Sequence, residues 1–486
     1  MEIEKLKKSA FCVQLLATII IANLTALTGF IYAWPSYTYT LFKSNETVLD
    51  SPMTSGEFSL LGSLANIGGF LSTPFCAYAL DKFGRKYSAM IYGVPFVIAW
   101  GIIAVTTSKY LVIFAAGLAG IGAGGQSVSS VYISEICYDS IRGGLTSSTT
   151  YVYLIGLLFS FIVGGYVSYY SVVYVHLVLS ILYIVLLTLL KESPIFLLKC
   201  GKEKEAAESI AFYHQIEKSS KEMEVKISKL KLQLDPRIIK MSESGDDEAA
   251  IEELLKKSPS KTEKEDERVS VWRFLKRSES SRRALATVLI LMILSIFMGP
   301  VVISIYAELI FKEANFSLDT NTCLIILAVI YLTASLMGAL VLDKFGRKIL
   351  MTVTCSLCGV LTMLLGSQLH LHYAPPWFGA FALYAFSFTV NFGCAVIPYV
   401  VTAEVFLPEV RGFGNSCVMA CRWIAVFAVL NIFDPLVEAF GLGITYYVFS
   451  VVCFLTAAFS HFYLPETKGL SVDEIQKLFV KERTKK

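Results

Sequence analysis

The sequence predicts an all-α membrane protein with twelve transmembrane helices, arranged as two six-helix bundles joined by a helical linker. Three observations predict it. Hydrophobic residues make up 55% and charged residues 17% of the 486 positions, against about 25% charged in soluble domains, and mean hydropathy is +0.62. Apolar runs of about 20 residues, long enough to cross roughly 30 Å of hydrocarbon, recur twelve times. A charged hexapeptide is repeated at equivalent points of the two halves. This composition excludes a disordered chain, a fibrous repeat and an ordinary cytosolic enzyme. A net charge of +3 is too small to point to nucleic acid.

Six runs come first, near 11–34, 57–80, 88–107, 110–134, 145–168 and 171–190. They form the N-terminal bundle, 1–190. Residues 191–284 follow as a linker holding 40 of the 81 charges. Six further runs, near 285–311, 320–342, 349–368, 376–402, 413–436 and 441–463, form the C-terminal bundle, 285–463. A tail, 464–486, closes the chain. With the N-terminus inside, cytoplasmic segments carry 38 of the 42 basic residues, and only Lys43, Lys109 and Lys312 fall outside. The positive-inside bias therefore puts both termini in the cytoplasm. No small-residue cleavage site follows the first run, which reads as a permanent helix. Asn45 and Asn315 then lie outside, in sequons that accept glycans. Asn23 also matches the pattern but falls within the first run.

Within the linker, apolar residues recur at helical spacing from Gly201 to about Leu232, as at Ala207, Ile210 and Ala211. Short helices beneath the bundle fit this pattern. Residues 233–270 are rich in Ser, Glu, Lys and Asp and read as a tether, with a helix around Glu248–Lys257. Trp272 and Phe274 lead back to the membrane. The eleven cysteines are scattered, and the lone CxxC of Cys355 and Cys358 has no second pair to complete a metal site. These thiols read as small helix-packing residues. No HxxxH, HExxH, GxxxxGK or GxSxG motif is present, so hydrolysis, a resident metal, a cofactor and ATP-driven work all lack supporting residues.

The repeat is the most informative feature. Asp81-Lys82-Phe83-Gly84-Arg85-Lys86 follows the second run, and Asp343-Lys344-Phe345-Gly346-Arg347-Lys348 follows the eighth. Glu135 precedes Arg142 by seven positions, as Glu404 precedes Arg411. Two copies of one six-helix unit, with a solute path between them, are the signature of a transporter. Glycine permits the tight reversal between antiparallel helices, and arginine forks onto a carboxylate. Asp81, Arg85, Glu135 and Arg142, with Asp343, Arg347, Glu404 and Arg411, are expected to form a cytoplasmic latch that holds while the protein faces outward and releases when it faces inward.

These residues resemble a known family. The repeated D-K-F-G-R-K is similar to the loop signature of the major facilitator superfamily. The E-x6-R-G pair, with Pro465-Glu466-Thr467-Lys468-Gly469 and Glu474, resembles its sugar porter branch. Leu190-Lys191-Glu192-Ser193-Pro194-Ile195 is similar to that branch's P-E-S-P-R motif, with Lys191 for Pro and Ile195 for Arg. Gly29–Ser36 is most similar to the arthropod facilitated trehalose transporters. The resemblance implies a plasma-membrane carrier, not an enzyme, that moves a small polar solute of the hexose or trehalose class by facilitated diffusion and alternating access. It also adds Glu466 to the latch.

The chain departs from the family at its sugar-binding positions. Ser295 and Ile296 stand where the seventh helix usually has a Gln-Gln pair, Gly299 matches the family glycine, and Val301 stands for Asn. Thr150 replaces a Gln in the fifth helix, Tyr399 a Trp in the tenth, Ala115 an Arg and Ser130 a Pro in the fourth. Arg422 occupies an Asn position beside Trp423, which matches the family. A charge this deep in a span is costly and points to function. Thr150, Ser295, Gly299, Tyr306, Asn391, Tyr399, Arg422 and Trp423 are therefore the candidate cavity residues. Gln14, Asn23, Thr28, Tyr32 and Gln126 are further polar groups in the spans. The first span lacks the acid that proton-coupled porters carry, and Glu308 is the nearest acid. Arg422 and the missing amides keep two alternatives open: a carrier of organic anions or other non-sugar metabolites, and a nutrient sensor that does not transport.

Overall fold

A computed structural model describes residues 8–217, 220–233, 278–313, 318–470 and 472–481. The helix foreseen around Glu248–Lys257, the tether around it, Trp272, Phe274 and Asn315 lie outside these residues. Among the described residues the secondary structure is helical, with no strand. The first half contains α1 (Lys8–Lys43), α2 (Ser55–Phe83), α3 (Arg85–Val105), α4 (Lys109–Ala123), α5 (Gln126–Ile136), α6 (Asp139–Tyr166) and α7 (Tyr169–Thr188). Short linker helices follow: α8 (Pro194–Lys199), α9 (Glu203–His214) and α10 (Lys221–Gln233). The second half contains α11 (Glu279–Phe297), α12 (Pro300–Glu313), α13 (Thr320–Phe345), α14 (Arg347–Leu371), α15 (Pro376–Thr389), a π-helical turn at Val390–Cys394, α16 (Ile397–Val405) and α17 (Pro408–Tyr463). A tail helix, α18 (Val472–Lys481), ends the described chain.

Among the described residues, eleven stretches are long and apolar enough to cross a membrane. The last, Gly412–Tyr463, runs for 52 residues, about 78 Å of helix at 1.5 Å per residue and over twice the hydrocarbon thickness. Gly441 breaks it with φ +79°, so it makes two crossings. Among the described residues the total is twelve crossings, six in each half.

Three spans are interrupted near their middles. The fourth breaks between α4 and α5 at Gly124 and Gly125, where a Cβ would overlap the side chains of Ser72 and Tyr92. Gly299 separates α11 from α12, and the π-turn interrupts the tenth span. Irregular backbone at membrane depth is tolerated where it lines a cavity, and residues at all three interruptions do so. Elsewhere the core is apolar and aromatic. Trp34 and Trp100 meet edge-on at 5.5 Å, and His176 stacks on Phe30 at 4.6 Å. Cys355, Cys358 and Cys394 pack together, with Cys355 Sγ 3.4 Å from Cys394 Sγ.

The linker and tail seat against one end of the bundle, called here the basic end. Gln14 Nε2 donates to the Tyr213 carbonyl at 3.1 Å, and the Tyr138 amide donates to Gln14 Oε1 at 3.0 Å. Gln14 thus ties α1 to the linker rather than facing a cavity. In the tail, Gln476 donates to the Val405 carbonyl at 2.7 Å, and Arg283 donates to the Phe479 carbonyl at 2.8 Å.

Candidate functional site: a cavity between the halves

A cavity of about 760 Å³ lies between the two halves. Both halves contribute: Thr25 and Tyr32 of α1, Asn66 and Thr73 of α2, Gln126 of α5 and Thr150 and Tyr153 of α6 on one side; Ser295 of α11, Ser304 of α12, Tyr331 and Ser335 of α13, Asn391, Tyr399 of α16, and Arg422 and Trp423 of α17 on the other. The third, sixth, ninth and twelfth spans contribute no lining residue, so the halves use corresponding spans.

Six of the eight candidate cavity residues meet there: Thr150, Ser295, Asn391, Tyr399, Arg422 and Trp423. Gly299 and Tyr306 are not among the lining residues. Gly299 has φ +94°, and a Cβ there would come within 2.8 Å of the Phe449 ring; it is the break in the seventh span. Tyr306 is fully buried and donates to Asp434 Oδ2 at 2.9 Å. Its ring packs 4.6 Å from Phe433, 5.8 Å from Phe58 and 6.0 Å from Tyr39.

Around that ring the halves meet at the end opposite the basic one. The Thr40 amide donates to Glu308 Oε2 at 3.1 Å, and Lys312 reaches Thr40 Oγ1 at 2.6 Å and Glu308 at 3.0 Å. Asn321 donates to the Gly165 carbonyl at 3.2 Å, and Asn431 to Ser63 Oγ at 2.8 Å. Glu308 is thus held within this closure. Nearer the middle, Trp423 Nε1 donates to Thr73 Oγ1 across the halves at 3.0 Å. Asn45 lies exposed in the loop from α1 to α2.

The cavity wall mixes hydroxyls, amides and rings around one charge. Tyr32 donates to Asn66 Oδ1 at 2.8 Å, and the Ser304 and Tyr331 hydroxyls are 3.2 Å apart. Arg422 lies with its guanidinium carbon 4.5 Å from the centre of the Trp423 ring. The phenols of Tyr399, Tyr32 and Tyr153 lie around that charge, and Tyr399 is hydrogen-bonded to it. Among the described lining residues it is the only charged side chain. Asn66 and Thr73 left no signal in the sequence, where one short polar residue in an apolar helix looks the same whether it packs or lines a cavity; Asp434, an acid within the same run as Arg422, carried the signal of a charge inside a span and was missed.

At the basic end the duplicated motifs build two matching clusters. In the first half, Arg85 forks onto Glu135 with bonds of 2.7 and 2.6 Å, and Ser193 Oγ also donates to Glu135. Glu192 accepts from the amides of Arg85 at 2.8 Å and Lys86 at 3.1 Å, capping the start of α3. In the second half, Arg347 donates to Glu404 at 2.8 Å and Thr467 Oγ1 to the same carboxylate at 2.6 Å. Glu466 accepts from the amides of Arg347 at 2.8 Å and Lys348 at 3.1 Å, at the start of α14. A carboxylate at a helix N-terminus meets unpaired N–H groups and the positive end of the dipole.

Gly84 and Gly346 make this possible. Their φ values are +88° and +85°, and a Cβ would come within 2.5 Å of the Glu192 or Glu466 carboxylate. These bonds stay within each half. Asp81 and Arg142 are exposed at the same end; the side chains of Asp343 and Arg411 are outside the described structure. Glu192 and Ser193, missed as cluster members, carried a signal. They match Glu466 and Thr467 at an offset of 274, close to the 262 of the hexapeptide. Burial raises the Glu192 carboxyl above its ordinary range, against the pull of the amides of Ser193, Lys86 and Arg85.

The comparisons agree with this architecture. A model of the family described as "Sugar (and other) transporter" matches residues 10–479. The chain is 27% identical over 478 residues to the facilitated trehalose transporter Tret1 of Polypedilum vanderplanki, covering 96% of this chain and 87% of that protein. It is 25% identical to Tret1 of Aedes aegypti, covering 96% of this chain and 55% of that longer one. An inward-open structure of the xylose transporter XylE from E. coli superposes with a TM-score of 0.74 at 20% identity, covering 96% and 99% of the two chains. With the duplicated helices, the shared cavity and a family match across nearly its whole length, the chain belongs to the sugar (and other) transporter family.

Proposed function

We propose that this protein is a facilitative sugar carrier of the plasma membrane that works by alternating access. In this reading residues 1–190 and 285–463 are the rocking halves, both termini are cytoplasmic, and the end sealed around Tyr306 faces outside. The single observation that carries the reading is the cavity itself: it lies between duplicated halves, is lined by hydroxyls, amides and aromatic rings, and holds no acid among the described lining residues. Hydroxyls and amides match a polyol, ring faces pack on its C–H groups, and a site without a carboxylate lacks a group to relay a proton.

With the outer end sealed and both basic-end clusters closed, the clusters are better read as braces within each half than as a latch released when the cavity faces the cytoplasm. They keep the ends of spans two, four, eight and ten rigid while the halves rock. The exposed Asn45 fits glycan attachment on the outer face.

The test is uptake of labelled glucose, xylose and trehalose into proteoliposomes holding the purified full-length chain. Saturable entry of at least one sugar, equilibrating without accumulation under an inward pH gradient, is expected. Accumulation above equilibrium driven by that gradient would reject facilitated diffusion. Absence of entry for all three would reject the neutral-sugar reading.

A further inference from the structure

We propose that the solute taken by this cavity carries a carboxylate, and that Arg422 receives it; the substrate class is an acidic monosaccharide. The proposal rests on the transport reading above and narrows its substrate. Arg422 is the sole charge among the described lining residues, and arginine does not escape burial by losing its proton. Its Nε is shut off from solvent and donates no hydrogen bond. The phenols of Tyr32, Tyr153 and Tyr399 surround it, with Tyr399 hydrogen-bonded to it, and they add polarity but no negative charge.

An internal counter-ion would make Arg422 structural. The acid deep in the same helix, Asp434, lies about three turns further along and already accepts from Tyr306 at 2.9 Å. Glu404 pairs with Arg347 at 2.8 Å, and Glu308 with Lys312 at 3.0 Å. Among the described residues no acid pairs with the cation, which is left for a solute to neutralise. A carboxylate matches the guanidinium fork and cancels a single charge one-to-one, whereas a phosphate dianion would leave the cavity negative. Gln126, Thr150 and the Asn391 amide oxygen line the same wall and can meet ring hydroxyls, and Trp423 offers a face for the ring. The empty cavity is positive and the loaded one neutral, so each turnover moves one negative charge across the membrane.

The test uses labelled glucuronate and glucose with the full-length chain. Binding is read in detergent, and entry is read in phosphatidylcholine vesicles with a potassium–valinomycin potential. Glucuronate is expected to bind and enter, faster when the interior is positive. Arg422→Asn should raise its half-saturating concentration about 10- to 100-fold, the equivalent of one charge-assisted bond. Arg422→Lys, which keeps the charge but not the fork, should fall between, and it carries the test if the Asn variant does not fold. Glucose entry with no glucuronate binding or competition would overturn this proposal and leave the transport reading standing. Arg422-dependent glucuronate binding without entry of either solute would uphold the site and reject transport. Unchanged glucuronate affinity in both variants, or no binding of either solute, would also overturn it.

Discussion

The two clusters at the basic end share one plan but not one degree of burial, and this gives a quantitative prediction. Arg85 and Glu135 retain 5% and 12% side-chain exposure, Arg347 and Glu404 11% and 27%. Arg85 forks onto Glu135 with bonds of 2.7 and 2.6 Å, and Arg347 reaches Glu404 at 2.8 Å through Nη2. Breaking a buried, hydrogen-bonded pair by removing one partner costs about 3–5 kcal/mol, and an exposed pair about 0–1 kcal/mol. Arg85→Ala should therefore destabilise by about 3 kcal/mol and Arg347→Ala by about half that. Double-mutant cycles, Arg85 with Glu135 and Arg347 with Glu404, should give coupling of about 2 kcal/mol in the first half and about 1 kcal/mol in the second. The assay is thermal and denaturant unfolding of purified protein in detergent. Equal coupling in the two halves, or none in the first, would refute the link from burial to stability.

Other consequences follow from the same contacts. Gly84→Ala should cost about 1–3 kcal/mol, because the added Cβ meets Glu192 and the φ of +88° strains an L-residue; a lowered melting temperature checks it, and an unchanged one contradicts it. Tyr306→Phe leaves buried Asp434 without its donor and should cost about 1–3 kcal/mol, read by unfolding and by faster labelling of a cysteine introduced at Phe433. His214 is buried beside Lys226 and pushed down to about 3, so it stays neutral in the fold while the unfolded chain protonates below about pH 6.5. Stability from this group is complete above that pH and falls on acidification, by about 2 kcal/mol at pH 5. Hydrogen exchange in Glu203–His214 should accelerate between pH 7 and 5 after correction for the intrinsic rate, and His214→Phe should remove the acceleration.

Much of the fold was legible because the membrane imposes it. Hydropathy separates the eleventh and twelfth spans although the helix runs from Pro408 to Tyr463 with a break only at Gly441. The repeated hexapeptide marks equivalent ends because both copies must turn a glycine against a carboxylate. Arg422 stood out because a cation deep in an apolar run is costly wherever it points. Tyr306 was harder. Alignment gives a position along a span, but the seventh span breaks at Gly299 and again at Tyr306 (φ −102°, ψ 18°), and Tyr306 packs into the closure with Phe58 and Phe433. Asn66 and Thr73 left no pattern, since which face of α2 meets the cavity depends on helices distant in sequence.

Alternating access is tested most directly by counterflow. Proteoliposomes are loaded with unlabelled solute, diluted into labelled solute, and followed over time. A transient overshoot of label above its final level, absent from empty vesicles, is the expected result, because a carrier with one cavity returns faster when loaded. Entry that is non-saturable and indifferent to the loaded solute would contradict a cavity exposed to one side at a time.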